Sequence, residues 1–130
     1  MRSLIERLRL TRSREARLII EAESFASLTL RSGRTITVFD RLSRAVTQND
    51  RQVATFGPIH HVQIDEESSA KGSPWLVALH LAGSRVVTVG RTTNNSEASL
   101  AAARIAEITG TRAVEGRVNL PPAELTISRV

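Results

Sequence analysis

The sequence predicts a mainly β fold, an antiparallel barrel or sandwich of about seven strands closed by one C-terminal α-helix. Three observations predict it. From residue 16 to residue 90 apolar residues recur at period two, the spacing of strands with one buried face. Short links, several carrying glycine, separate those runs. One alanine-rich stripe at helical spacing follows, bounded by a capping residue and a glycine. At 130 residues the chain is one domain's worth, long enough to bury a core without disulfide staples.

Three stretches divide it. Residues 1–15 read as a basic helix or arm, with Leu4, Ile5 and Leu8 at helical spacing among arginines. That stretch is too short to be a stable helix unless it docks. Residues 16–110 carry the strands and the helix. Leu18-Ile19-Ile20 opens the strand pattern, and Leu28 and Leu30 then alternate with Ser27 and Thr29. Arg31-Ser32-Gly33-Arg34 supplies a turn, and the run from Thr35 to Phe39 puts Ile36 and Val38 on one face. Further strands are expected over 44–48, 53–56 and 59–65, followed by a polar loop over 66–74. In the run 75–81, Trp75, Val77, Leu79 and Leu81 share one face, and Leu76, Ala78 and His80 the other. A second glycine turn, Leu81 to Arg85, leads into a strand ending near Val89. The helix spans 96–109. Asn94 caps its first turn, Glu97 reaches back as in a capping box, and Gly110 stops it. Ala98, Ala101, Ala102, Ile105 and Ile108 form its apolar stripe. Residues 111–130 read as an extended tail broken by Pro121-Pro122. There Leu125 and Ile127 alternate with Thr126 and Ser128, the pattern of a half-buried edge strand. That strand is expected to pair with a sheet edge, a neighbouring subunit's ahead of its own, which predicts a homo-oligomer or a stable part of a larger complex.

Four segments fall in a recognisable series: Phe39-Asp40-Arg41 with Arg44-Ala45-Val46; Ile59-His60-His61-Val62-Gln63-Ile64; Val86-Val87-Thr88-Val89-Gly90; and Ser96-Glu97-Ala98 through Gly110. In that order, over residues 16–110, the series resembles bacterial members of the pleckstrin-homology-like (PH-like) superfamily. The resemblance implies a seven-stranded, partly open barrel with a capping helix, used for binding or assembly and without catalysis. Many chains of this texture carry a transmembrane hairpin, whereas the apolar runs here fall far short of the ~20 residues a membrane span needs. In the lipid-binding members of the fold, cations in an early loop hold phosphoinositide phosphates. Arg31, Arg34, Arg41 and Arg44 match that arrangement in location only.

Charge is unevenly placed. Residues 1–51 hold eleven arginines against six acids, the whole of the net +5, and the remainder is balanced. Such a segment is a footprint for an anionic lipid surface, nucleic acid or an acidic protein face, with Arg7, Arg9, Arg12 and Arg14 as its densest part. Solvated loop arginines explain the same count without any partner. Tyrosine is absent and aromatics make up 3%, which disfavours base stacking and ranks nucleic acid below lipid; a protein partner or a homo-oligomer is the first expectation. The N-terminus is charged before an apolar stretch develops, so a cytoplasmic location is expected, with peripheral membrane attachment as the second one.

Catalytic patterns are scarce. There is no cysteine, phosphate-cradling glycine loop or nucleophile elbow around Ser24, Ser43 or Ser73. The run Asp65-Glu66-Glu67 reads as a solvated strand end, since acid–base work needs two carboxyls facing one substrate. His60 and His61, being adjacent, are expected on opposite faces of a strand. His61, Asp65 and His80 form the only metal-binding set worth testing, below the three or four spaced ligands usual for zinc. Trp75 reads as core packing. The expectation is a non-enzymatic binding module with no cofactor and no small-molecule substrate.

Overall fold

The computed structural model describes residues 16–67 and 74–116. The first sheet is an antiparallel meander of β1 (Ile19–Glu23), β2 (Ser27–Ser32), β3 (Thr35–Asp40), β4 (Ala45–Gln48) and β5 (Arg51–Thr55), ordered as in the chain. Its hairpins follow from turn chemistry. Gly33 takes the left-handed conformation in the β2–β3 turn. Asn49 and Asp50 both have positive φ, 51° and 69°, which the right-twisted two-residue turn between β4 and β5 demands. Asn49 also accepts from the Ile36 amide and donates to the Ile36 carbonyl, both at 2.9 Å.

Ile36 and Val38 share a face, but it is the outer one. Register pairs Leu28 with Phe39 and Leu30 with Thr37, so Thr37 and Phe39, both 0% exposed, point inward. Gln48 satisfies the buried Thr37 hydroxyl, its side-chain amide donating at 3.1 Å and also to the Thr88 carbonyl at 2.8 Å.

The second sheet has the order β8-β7-β6-β9, from β6 (Ile59–Glu66), β7 (Trp75–Leu81), β8 (Arg85–Thr92) and β9 (Ala113–Gly116). The last strand returns after the helix and lies parallel to β6. Closed antiparallel pairing is therefore not what forms: two separate open sheets do, one of them mixed, with nine strands among the described residues. Side chains, not a ladder, stitch β8 to the first sheet. The Ser32 hydroxyl accepts from the Arg91 amide at 3.2 Å, Gln48 reaches Thr88, and Arg85 donates to the Val53 carbonyl at 3.2 Å. Gly90 permits this approach, because a Cβ there would overlap the Ser32 side chain and press on Leu18.

The helix α1 (Asn95–Thr109) packs its alanine face against both sheets, and Ala98, Ala101, Ala102, Ile105 and Ile108 are all buried. Together with Leu28, Leu30, Phe39, Val62, Val77 and Leu79 they form one core, and Trp75 packs half-buried at its margin. Asn94 caps as expected, accepting from Ser96 and Glu97 amides at 2.8 and 3.3 Å, and Gly110 ends the helix in the left-handed conformation. Glu97 does not complete a capping box. The Asn94 amide donates to the Thr92 hydroxyl instead, and the Glu97 carboxylate turns to three other donors.

The basic arm with Arg7, Arg9, Arg12 and Arg14, and the tail positions Leu125 and Ile127, lie outside the described residues. Among the described residues no helix is long and apolar enough to cross a membrane.

Candidate functional site

The β1–β2 loop and the β3–β4 turn emerge side by side at one end of the first sheet, because β2 begins where β3 ends. Local polar side chains shape both. The Ser24 hydroxyl accepts from the Ala26 and Ser27 amides at 3.2 and 3.1 Å, and Ser24 N–H donates to the Ser27 carbonyl at 2.8 Å. That closed loop turns Phe25 outward, 77% exposed. In the neighbouring turn an Asp40 carboxylate oxygen accepts from the Leu42 amide at 3.0 Å, and Leu42 stands 80% exposed.

Arginines stack on both sides of this tip. Arg41 binds its amide to the Ala26 carbonyl and its Nε–H to the Phe25 carbonyl, at 2.7 and 2.8 Å, with its guanidinium 4.3 Å from the Phe25 ring centroid. Arg44, at φ 55°, lies 5.6 Å from the ring centroid of the buried Phe56. Beneath Phe25 a cleft of about 220 Å³ opens toward the last turns of α1, floored by Leu28 and Ile108 and flanked by Glu23, Arg104 and Glu107. Arg104 Nε is buried and makes no hydrogen bond. The nearest carboxylate, Glu23, is 3.6 Å away, and Glu107 is 3.7 Å from another Arg104 nitrogen. These are ion pairs by distance, too long for hydrogen bonds of good geometry.

The four loop arginines do not gather at one end of the sheet. Arg41 and Arg44 stand at this end, and Arg31 and Arg34 flank the β2–β3 turn at the other, six β3 residues or about 20 Å away. Arg31 is committed to Glu21, whose hydrogen bond and charge hold the guanidinium above its ordinary pKa. Arg34 is exposed on its turn.

A bulge in β6 corrects the histidine geometry. Ile59 pairs with Leu81 and His61 with His80, so His60 is an extra residue and both His60 and His61 face outward. His61 stacks on His80 with ring centroids 4.8 Å apart and bonds Gln63 at 2.8 Å, and Gln63 bonds Asp65 at 2.9 Å. Asp65 thus meets His61 only through Gln63. Among the described residues no three His, Cys, Asp or Glu side chains converge as a metal site. The acidic run also disperses, Asp65 to Gln63 and Glu67 to Arg91 at 3.0 Å.

Phe25, Leu42 and Arg104 escaped sequence reasoning. Their signal was there: a lone phenylalanine between two short runs, and a leucine set between arginines in a turn, each an apolar residue where a polar one is the rule. No family model, curated protein or solved structure matches this chain.

Proposed function

We propose that this chain is a cytoplasmic, non-catalytic PH-like module that binds a protein partner, a second copy of itself included, through the Phe25–Leu42 end. The observation that carries the reading is a pair of large apolar side chains held outward on adjacent turns, 77% and 80% exposed. Single exposed apolar residues are ordinary on protein surfaces. Two stand here on neighbouring turns, and Phe25 with Arg41 over its ring has the aromatic-and-arginine make-up enriched at protein interfaces. The order of elements, a meander, then a hairpin series, then a helix packed on both sheets, supports the PH-like part of the reading, with β9 as an addition.

The test is co-purification from the source cell with wild type and with a Phe25→Ser/Leu42→Ser double variant. Both side chains are exposed, so the variant should melt with wild type, which differential scanning calorimetry checks. A protein held by wild type and lost by the variant supports the reading. Identical partners for both would place binding elsewhere and overturn it. A second reading, electrostatic attachment to anionic lipid or nucleic acid, is favoured by the arginine excess of residues 1–51.

A further inference from the structure

We propose that the cleft beneath Phe25 receives one apolar side chain of a partner protein, beside a carboxylate that docks on the Arg41 guanidinium. This rests on the reading of that end as the binding surface and adds the chemistry of what binds.

Size is the first argument. At about 220 Å³ the cleft lies below the ~300–1,000 Å³ of small-molecule sites and suits a single side chain. Leu28, Ile108 and Phe25 give an aliphatic group apolar contact, while the rest of the lining is polar and charged, so the site suits one apolar side chain carried beside polar groups.

Arg41 supplies the polar half. Its Nε–H is spent on the Phe25 carbonyl and its Cζ lies over the Phe25 ring at 4.3 Å, which fixes the neck of the side chain. Its terminal amino groups have no acidic partner among the described residues. A guanidinium held this way presents a planar pair of donors, the geometry that matches two carboxylate oxygens. Glu23 and Glu107 are drawn to Arg104 rather than to Arg41. Arg104 Nε is buried beside Glu23, so the directed donors offered to a partner are those of Arg41.

Charge then separates a protein from a lipid or nucleic-acid partner. Around the tip Arg41, Arg44 and Arg104 are matched by Glu23, Asp40 and Glu107. A membrane or a phosphate backbone responds to the summed field, which cancels here. A fork of directed donors needs no net charge.

Three capped peptides, each titrated into the full ¹⁵N-labelled chain by NMR, test this: a leucine between two glutamates, the same leucine between two glutamines, and a glycine between two glutamates. The glutamate–leucine peptide should shift the Phe25, Leu28, Arg41 and Ile108 amides and bind about tenfold tighter than either control, the scale of a charge-assisted pair. In Arg41→Gln the glutamate and glutamine peptides should bind alike. Equal affinity for all three in wild type, shifts centred elsewhere, or no shift at millimolar peptide would each overturn the proposal. So would retention on phosphatidylglycerol vesicles that Phe25→Ser abolishes, because the tip would then belong to lipid. Loss of a co-purifying protein in Phe25→Ser/Leu42→Ser without carboxylate dependence overturns this proposal and leaves the binding reading standing.

Discussion

Three donors converge on the Glu97 carboxylate: the Thr92 hydroxyl at 2.7 Å, the Leu18 amide at 3.1 Å and the Arg17 guanidinium. Burial pushes this carboxyl up, but hydrogen bonds from Arg17, Thr92 and Leu18, with the Arg17 charge, bring it below the ordinary carboxylate range. A carboxyl depressed by folding contributes its stability in full above the unfolded-state pKa. That contribution is lost as pH falls through the lower folded value. Glu97→Gln should therefore cost about 1–3 kcal/mol near neutral pH. The variant should also lose less on acidification than wild type does. Urea unfolding of both proteins at neutral pH and in steps below about pH 5 checks the pair of claims. Curves that stay parallel into acid would remove Glu97 from the acid response. The residue itself was legible in the sequence as a helix N-terminal acid. Its partners were not, since Leu18 lies 79 positions away and no local pattern links the two.

Elements were the most readable scale. Period two located β1 to β8, and the stripe from Ala98 to Ile108 located the buried face of α1. That face yields a sharp expectation. Ile105 is 0% exposed among alanines, so Ile105→Asp should cost about 4 kcal/mol or more, as a buried charge without a partner does. Leu100 is half-exposed on the opposite face, and Leu100→Asp should stay within about 0.5 kcal/mol of wild type. Chemical denaturation of the two variants side by side decides it, and similar losses would mean the helix is seated differently. At β8, Gly90→Ala should cost about 1–3 kcal/mol through overpacking against Ser32, read in the same assay. Adding Ser32→Gly should recover part of that loss. Period alone could not foresee the inner face of β3, which Leu28 and Leu30 impose through register. Nor could it find the β6 bulge that turns His60 outward, because one extra residue shifts every side chain before it to the other face. Strand β9 was hidden for another reason. It is four residues with one β-branched side chain, held by β6 rather than by propensity.

At the scale of the whole molecule the candidate site was half legible. Arg41 and Arg44 stood out by charge, whereas the cleft needs Ile108 and Arg104 from a helix that only tertiary packing brings to the loops. Two expectations belong at this scale. If the arginine excess of residues 1–51 reads an anionic surface, retention on vesicles or DNA should fall steeply with added salt and largely vanish when residues 1–15 are removed. Sedimentation and gel-shift assays separate the two surfaces, and no retention at low salt would end that reading. If the Leu125–Ile127 segment assembles copies, light scattering should give a larger mass for the full chain than for a chain ending at Gly116. Equal monomer masses would refute assembly through the tail. The parallel ladder of β9 also orders events in time. Among the described residues every other ladder joins strands that follow one another in the chain, but this one joins Val62 to Ala113 across β7, β8 and α1. It cannot close until the chain through α1 and β9 has been made, so on a ribosome it follows the other ladders described. Its four pairs, the most distant in sequence, are expected to open more readily than the β6–β7 ladder. Deuterium should accordingly enter the amides of β9 before those at the β6–β7 ladder.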